Sequence, residues 1–288
     1  MNTKNELTEL IEFAEKLWLD AIEYYVMPRV VKTSGNKVIY SDCLVDKYNH
    51  IQNCLALANE IRPNDLMLKC LILYHDIGRI SQYNIWERFA DDKMLHHYLG
   101  VDFFESCVLQ GEIPNSKYNS LIIATILYHG RLSLLPSGFV TDKERKYIEI
   151  VTTIDNLENG CLGAVGYLDR EVEIDAKGYG QVDQDLVSPD VLEYYKNIEK
   201  FDKMKYCKTY ADYTLFAIIL ALVQLKGEYK DIAVAAMSRP VTDSFGIAHA
   251  NAIDGYKAII DRRIEPQYRK LCFNVLLETF SNAKKNDN

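Results

Sequence analysis

The sequence predicts a mainly α-helical protein. Three observations carry that reading. Apolar residues recur at helical spacing, as in Leu7, Leu10, Ile11, Ala14, Leu17 and Trp18. Helix-start signals recur along the chain: the capping boxes Thr3-Lys4-Asn5-Glu6 and Thr141-Asp142-Lys143-Glu144, and the cap-plus-proline Ser188-Pro189. Strand-like alternation is confined to one short stretch, Arg170 to Asp175.

In order, the first helix opens at Thr3 and stops by Pro28, because proline cannot continue a helix. Ser34-Gly35-Asn36 marks a turn in a loop that runs to about Leu44. A second helix covers roughly Asp46 to Ile61, with Ile51, Cys54, Leu55, Ala58 and Ile61 inward and His50 beside that stripe. Pro63-Asn64-Asp65 breaks the chain, and Asn64 is the expected N-cap of a helix from Asp65 to about Ile77. After Lys69 that helix is apolar nearly all round, which marks a buried, central element. Ile80 to Trp86 reads as loop. Further helices are expected from Asp91 or Asp92 to about Gln110, from Asn115 or Ser116 to His129, and from Asp142 to about Glu158. The glycine-rich stretch 159–187 reads as a long loop or short hairpin, a candidate lid. Helices near 190–200, 208–226, 243–263 and 267–282 complete the chain, with Gly227 as a C-cap and a polar tail from Ala283.

Composition narrows the function classes. The 288 residues suffice for one large domain or two small ones. A net charge of -8 disfavours a nucleic-acid duplex as partner, since such binders need a basic face. The seven cysteines are odd in number and contain no CxxC, so neither a disulfide framework nor a zinc-thiolate site is indicated, and a reducing cytoplasm is expected. The start of the chain is no signal peptide, and the longest uncharged apolar run, Leu215 to Val223, is too short to span a bilayer.

Chemistry concentrates around Leu71 to Arg79, which reads LILYHDIGR. An apolar run ending in His75 and Asp76 would bury a histidine and a carboxylate at considerable expense unless something compensates them. A divalent metal ion does so, because imidazole plus carboxylate suits first-row ions. The plainer reading is a solvated helix end with Gly78 as C-cap. The rest of the chain decides between them. Of six histidines, His50, His75, His96, His97 and His129 fall within 80 residues, each on or at the end of an expected helix. Leu127-Tyr128-His129-Gly130 mirrors Leu73-Tyr74-His75…Gly78, and Asp155 sits in a comparable apolar setting. One histidine beside a buried stripe is usually structural; five in succession are harder to explain that way.

The order His50…His75-Asp76…His96…His129…Asp155 resembles the HD-domain metal-dependent phosphohydrolase superfamily over about Asp46 to Glu158. HDIGR is similar to that family's HDIGK, His96 with Gly100 resembles its H-x-x-x-G, and Ile154-Asp155-Asn156-Leu157-Glu158 resembles its A-D-x-x-E. The resemblance implies an all-α helical bundle as the metal-binding core, read here as residues 1–160; the glycine-rich loop over 161–187 and the C-terminal helical extension over 188–288 lie outside it. It implies two divalent ions, with Fe or Mn favoured and Mg, Ni, Co or Zn open. Asp76 would bridge them; His50, His75 and Asp155 would complete one site, and His96 and His129 the other. Adjacent helix residues point about 100° apart, so His96 and His97 are not equivalent ligands; glycine spacing favours His96, with His97 as the alternative. Two such ions against two carboxylates leave a net charge of about +2, which suits a phosphate group attacked by a metal-activated hydroxide. Arg79 and Arg131 are candidate phosphate-binding cations, each with a surface charge as the plainer reading. Tyr74 and Tyr128 read as packing residues, Glu158 as an ion-pair partner and His249 as structural.

The implied activity is hydrolysis of a small phosphoester or phosphoanhydride, including nucleotides, in the cytoplasm, with no membrane partner and with a homodimer open. His129 is followed by Gly-Arg and not by the GYP word of the cyclic-di-GMP-degrading subgroup. A rival is an HD-type mixed-valence di-iron oxygenase using the same six ligands. A non-catalytic binding module is a second rival, and the complete ligand set argues against it.

Overall fold

The computed structural model of the chain describes residues 3–25, 32–34, 37–39, 43–87, 89, 91, 93–169, 229–242 and 248–251, with isolated positions between 253 and 270. The fold is all-α. Its elements are α1 (Thr3–Tyr25), β1 (Lys32–Ser34), β2 (Lys37–Ile39), α2 (Cys43–Ile61), α3 (Leu66–Tyr74), α4 (Gly78–Trp86), α5 (His96–Leu109), α6 (Asn119–Tyr128), α7 (Asp142–Asp169), α8 (Lys230–Ser238), β3 (Pro240–Thr242) and β4 (Ala248–Asn251). The strands form two short antiparallel ribbons, β1 with β2 and β3 with β4. The chain divides into two compact units, Met1–Thr152 and Thr153–Asn288, with the boundary inside α7.

In the first unit α3 is the central helix. Leu68 and every residue from Cys70 to Tyr74 are buried, and α3 packs against α1, α2 and α6. Its all-round apolarity is what a helix with neighbours on several sides requires. Two polar ties fix it against α1: the Trp18 indole donates to the Leu73 carbonyl (3.0 Å) and the Tyr74 hydroxyl donates to the Leu10 carbonyl (2.9 Å). The expected α1 stripe is buried at Leu7, Leu10, Ile11, Ala14 and Trp18.

Several local expectations change. Asp65, not Asn64, caps α3: its carboxylate accepts from Leu68 N at 3.0 Å, while Asn64 takes a left-handed φ of 64° that asparagine tolerates. Tyr147 of α7 donates to the same Asp65 at 3.1 Å. The α3 helix ends at Tyr74 and a turn carries His75 to Ile77. Residues 80–86, read as loop, belong to α4, which ends where Glu87 turns left-handed (φ 55°). Gly78 therefore opens α4 and is not a C-cap. Helices α5 and α6 start later than expected, at His96 and Asn119.

The Thr141 capping box forms as read: Thr141 Oγ1 accepts from Glu144 N (3.2 Å) and Glu144 Oε2 accepts from Thr141 N (2.8 Å). The helix it starts does not stop near Glu158 but continues through Gly160, Gly163 and Gly166 to Asp169, so this part of the glycine-rich stretch is helical. The second unit also contains α8, which the sequence reading lacked, with Ile232, Ala233, Ala236 and Met237 buried. Strand β4 interrupts the helix expected over 243–263 and carries His249. The expected helices at 190–200 and 208–226, most of the one at 267–282, the alternating stretch 170–175 and the remainder of the lid lie outside the described residues. No described helix is long and apolar enough to cross a membrane.

Candidate metal centre

The mirrored Leu-Tyr-His words are the same local device used twice. His75 and His129 are the C-caps of α3 and α6, both still helical in φ and ψ, and each backbone N–H closes the last turn. Each imidazole then folds back on its own helix. His75 Nδ1 lies 2.7 Å from the Ile72 carbonyl, and His129 Nδ1 lies 3.1 Å from the Thr125 carbonyl and 3.2 Å from that of Ile126. A carbonyl only accepts, so Nδ1 carries the proton in both rings and the Nε2 lone pair points away from the helix.

His96, at the start of α5, is arranged in the same sense by a different partner. Its Nδ1 lies 2.9 Å from Asp91 Oδ1, and a carboxylate likewise only accepts. Three Nε2 atoms thus converge on one carboxylate. His75 Nε2 is 3.1 Å from Asp76 Oδ2; His96 Nε2 and His129 Nε2 are 3.2 and 3.8 Å from Asp76 Oδ1. His96 Nε2 and His129 Nε2 are 3.5 Å apart. All four side chains are buried. Lone pairs of like character at these distances repel in a region of low dielectric, and a cation among them removes the repulsion.

The charge on Asp76 is compensated first by Lys47. Burial by itself would raise its carboxyl, but Lys47, together with His75 and His96 when their rings are protonated, holds it well below the ordinary carboxylate range. The Lys47 ammonium pairs with Oδ2, and Arg79 Nε is 3.6 Å from Oδ1. Sequence reasoning missed Lys47. A signal was present: it lies three residues before His50 on α2 and so shares its face.

The ligand atoms of His50, His75 and Asp76 lie within 4.8 Å of one another, and so do those of His96, His97 and His129. These are two buried donor groups that could hold metal ions. His50 is buried on α2, with the Cys54 thiol 3.7 Å from its Nε2. His97 does not turn away from His96 as the 100° argument requires. Its ring is 3.9 Å from that of His96 and stacks on His129 (4.7 Å, 15°), so it falls in one donor group with them. Neither nitrogen of His97 has a hydrogen-bond partner. Burial and the neighbouring His96, His129 and Arg131 push it down to about 2, so His97 is a neutral imidazole. Burial also lowers His96, against the opposing pull of Asp91 and Asp76.

Arg79 is the second residue of α4, beside Asp76. Nη1 donates to Gln82 Oε1 (2.8 Å) and pairs with Asp91 Oδ2 (3.0 Å), and the guanidinium lies over the Phe89 ring (5.1 Å). Arg131 is half-buried just past His129, its N–H bonded to the Tyr128 carbonyl (2.8 Å). Tyr74 is a buried packing residue, as read. Asp155 and Glu158, both buried, lie on the part of α7 that belongs to the second unit; Asn159 donates to Asp155 Oδ1 at 2.8 Å. The side chain of His249 lies outside the described residues.

Two residues of the network behind His96 were not legible in the sequence as site residues. Asp91 was read only as a helix start, and Gln82 fell in a presumed loop; no periodicity links either to His96. No family model matches this chain, and no curated protein or solved structure is similar enough to it to count as a match.

Proposed function

We propose that this protein is a metal-dependent phosphohydrolase of HD type, holding two divalent ions and cleaving a small phosphoester or phosphoanhydride. The observation that carries the reading is the convergence of three imidazole Nε2 atoms on the single carboxylate Asp76, each ring fixed from behind at Nδ1. That arrangement is the one metal-ligating histidines adopt, with the far N–H given to a carbonyl or carboxylate. The donor set fits the group: mixed imidazole and carboxylate, suited to Fe or Mn. His50, His75 and Asp76 would serve one ion, and His96, His129 and the other oxygen of Asp76 the second. The sequence resemblance adds Asp155 to the first.

When bound, such ions supply charge stabilisation at phosphoryl oxygens and a water acidic enough to attack at neutral pH. The chain's own residues do the rest. Asp76 orients toward both donor groups through its two oxygens. Lys47 neutralises Oδ2 in this structure; released from that oxygen, it remains a cation beside the site for an anionic substrate. Arg79 and Arg131 add positive charge near α4 and α6, where a non-bridging phosphate oxygen can be gripped. His97, neutral and with free nitrogens, offers a hydrogen bond to substrate without adding charge.

Elemental analysis of protein purified without chelator should approach two ions per chain. A panel of phosphomonoesters, phosphodiesters and nucleotides should then release phosphate or nucleotide product, and chelator should abolish that release. Oxygen consumption with an organic substrate and no phosphate product would instead establish the di-iron oxygenase.

A further inference from the structure

We propose that Asp91 is a positioning residue for the second metal site: it holds the His96 ring with Nδ1 protonated and Nε2 bare toward Asp76. The proposal rests on the metal-site reading above and goes beyond it, since neither the ligand pattern nor the HD words assign anything to Asp91.

The geometry is a closed network. Asp91 Oδ1 accepts from His96 Nδ1 (2.9 Å), from the His96 backbone N–H (3.1 Å) and from Gln82 Nε2 (2.8 Å), while Oδ2 takes Arg79 Nη1 (3.0 Å). Gln82 is fully buried and is itself pinned, because Nε2 also donates to the Met94 carbonyl (2.7 Å) and Oε1 accepts from Arg79 (2.8 Å). The carboxylate, although its side chain is 40% exposed, is therefore held by three residues from α4 and α5. The other two converging imidazoles obtain the same service from backbone carbonyls of the helices they cap. His96 cannot, because it begins a helix instead of ending one, so α5 has no preceding turn to offer it a carbonyl. A side-chain acceptor is needed in that place, and a carboxylate also makes the imidazole a better donor to a cation.

A purely structural role is the competing explanation, since the same oxygen caps the first N–H of α5. Two measurements separate them. The first needs no metal: histidine ring 15N NMR of metal-free protein should show His96 as the Nδ1–H tautomer, and Asp91→Ala should abolish that preference. The second is titration of metal-free protein with Co²⁺ alone, read by its visible absorption. Wild type should bind two ions. In Asp91→Ala the event that His96→Ala removes should weaken roughly 10- to 100-fold, and the event that His50→Ala removes should not change. Asp91→Asn keeps an oxygen for the α5 cap but not the charge, and should still weaken the same event. Two Co²⁺ ions bound with unchanged affinity in both Asp91 variants, or an unchanged His96 tautomer in Asp91→Ala, would overturn the role of Asp91 and leave the metal site standing. Wild type that binds no Co²⁺ would overturn the metal site itself, and the inference with it.

Discussion

Gly78 meets Gly100 backbone to backbone where α4 crosses α5. A methyl group on Gly78 would sit 1.9 Å from the His96 carbonyl oxygen and 2.7 Å from the Gly100 amide nitrogen. A methyl on Gly100 would lie 2.8 Å from the Ile126 side chain. The two glycines flanking the histidines in HDIGR and H-x-x-x-G are thus there for closeness and not for a left-handed turn. They let the helix carrying His96 approach the turn carrying Asp76.

Gly78→Ala should accordingly lower stability by about 3 kcal/mol or more, the top of the usual range for overpacking, because the obstruction is backbone that cannot rotate away. It should also weaken metal binding, since relief requires moving His96. Gly130→Ala is the contrast: the added carbon meets only His97 Nε2 at 3.7 Å, an ordinary contact. Its stability should stay within about 1 kcal/mol of wild type. Urea denaturation of both variants checks this, and a Gly78→Ala protein as stable as wild type would refute the close-approach explanation.

Asp76→Asn tests the centre. An amide keeps the shape but gives up the charge that Lys47, His75 and His96 face. Metal content should fall by more than the roughly 10- to 100-fold typical of residues one step removed from the ion, and nearly all activity should go with it. Elemental analysis beside circular dichroism separates metal loss from unfolding. Full metal and full activity in this variant would reduce Asp76 to a helix-end residue.

His96 and His97 have different environments and should fail differently. His96 is tied behind by Asp91 and faces Asp76. Its loss to alanine should empty one of two metal sites. His97 has no hydrogen bond and stacks on His129. His97→Ala should keep two ions and raise KM more than it lowers kcat. Loss of one ion in His97→Ala with two retained in His96→Ala would exchange their roles.

What the sequence made legible was the inside of the first unit. The stripe of α1, the buried Ile51, Cys54 and Ala58 of α2 (though Leu57 is buried in place of Leu55 and Ile61), the apolar α3, the Thr141 capping box and the burial of His50, His75, Asp76, His96 and His129 follow from period and punctuation. What it hid were relations between elements. Lys47 is visible only as a face-mate of His50. Asp91 reaches His96 across a non-helical segment, where no period applies. The start of α4 was hidden because glycine reads as a breaker, although here it serves helix crossing. The continuation of α7 through three glycines was missed for the same reason, as local propensity is a weak guide inside a long helix.

Arg79 carries the last prediction, because its position admits two contributions. Its Nη1 is engaged with Gln82 and Asp91, while Nε, 3.6 Å from Asp76 Oδ1, has no hydrogen-bond partner. The guanidinium thus supports the Asp91 network at one edge and leaves a donor facing the site at another. A cation there is worth most as charge develops on the phosphoryl oxygens in the transition state. Arg79→Ala should therefore keep two ions at saturating metal, because Asp91 retains its bonds to Gln82 and His96. It should lose roughly ten- to a thousandfold in kcat/KM on the best phosphorylated substrate, about 1.4 to 4 kcal/mol of barrier. Arg79→Lys should recover part of that loss, since lysine keeps the charge but cannot reach Gln82, Asp91 and substrate in one plane. Steady-state kinetics over a titration of the metal decide the matter. Unchanged efficiency in Arg79→Ala would confine Arg79 to scaffolding, and loss of efficiency fully restored by excess metal would assign it to the Asp91 network alone.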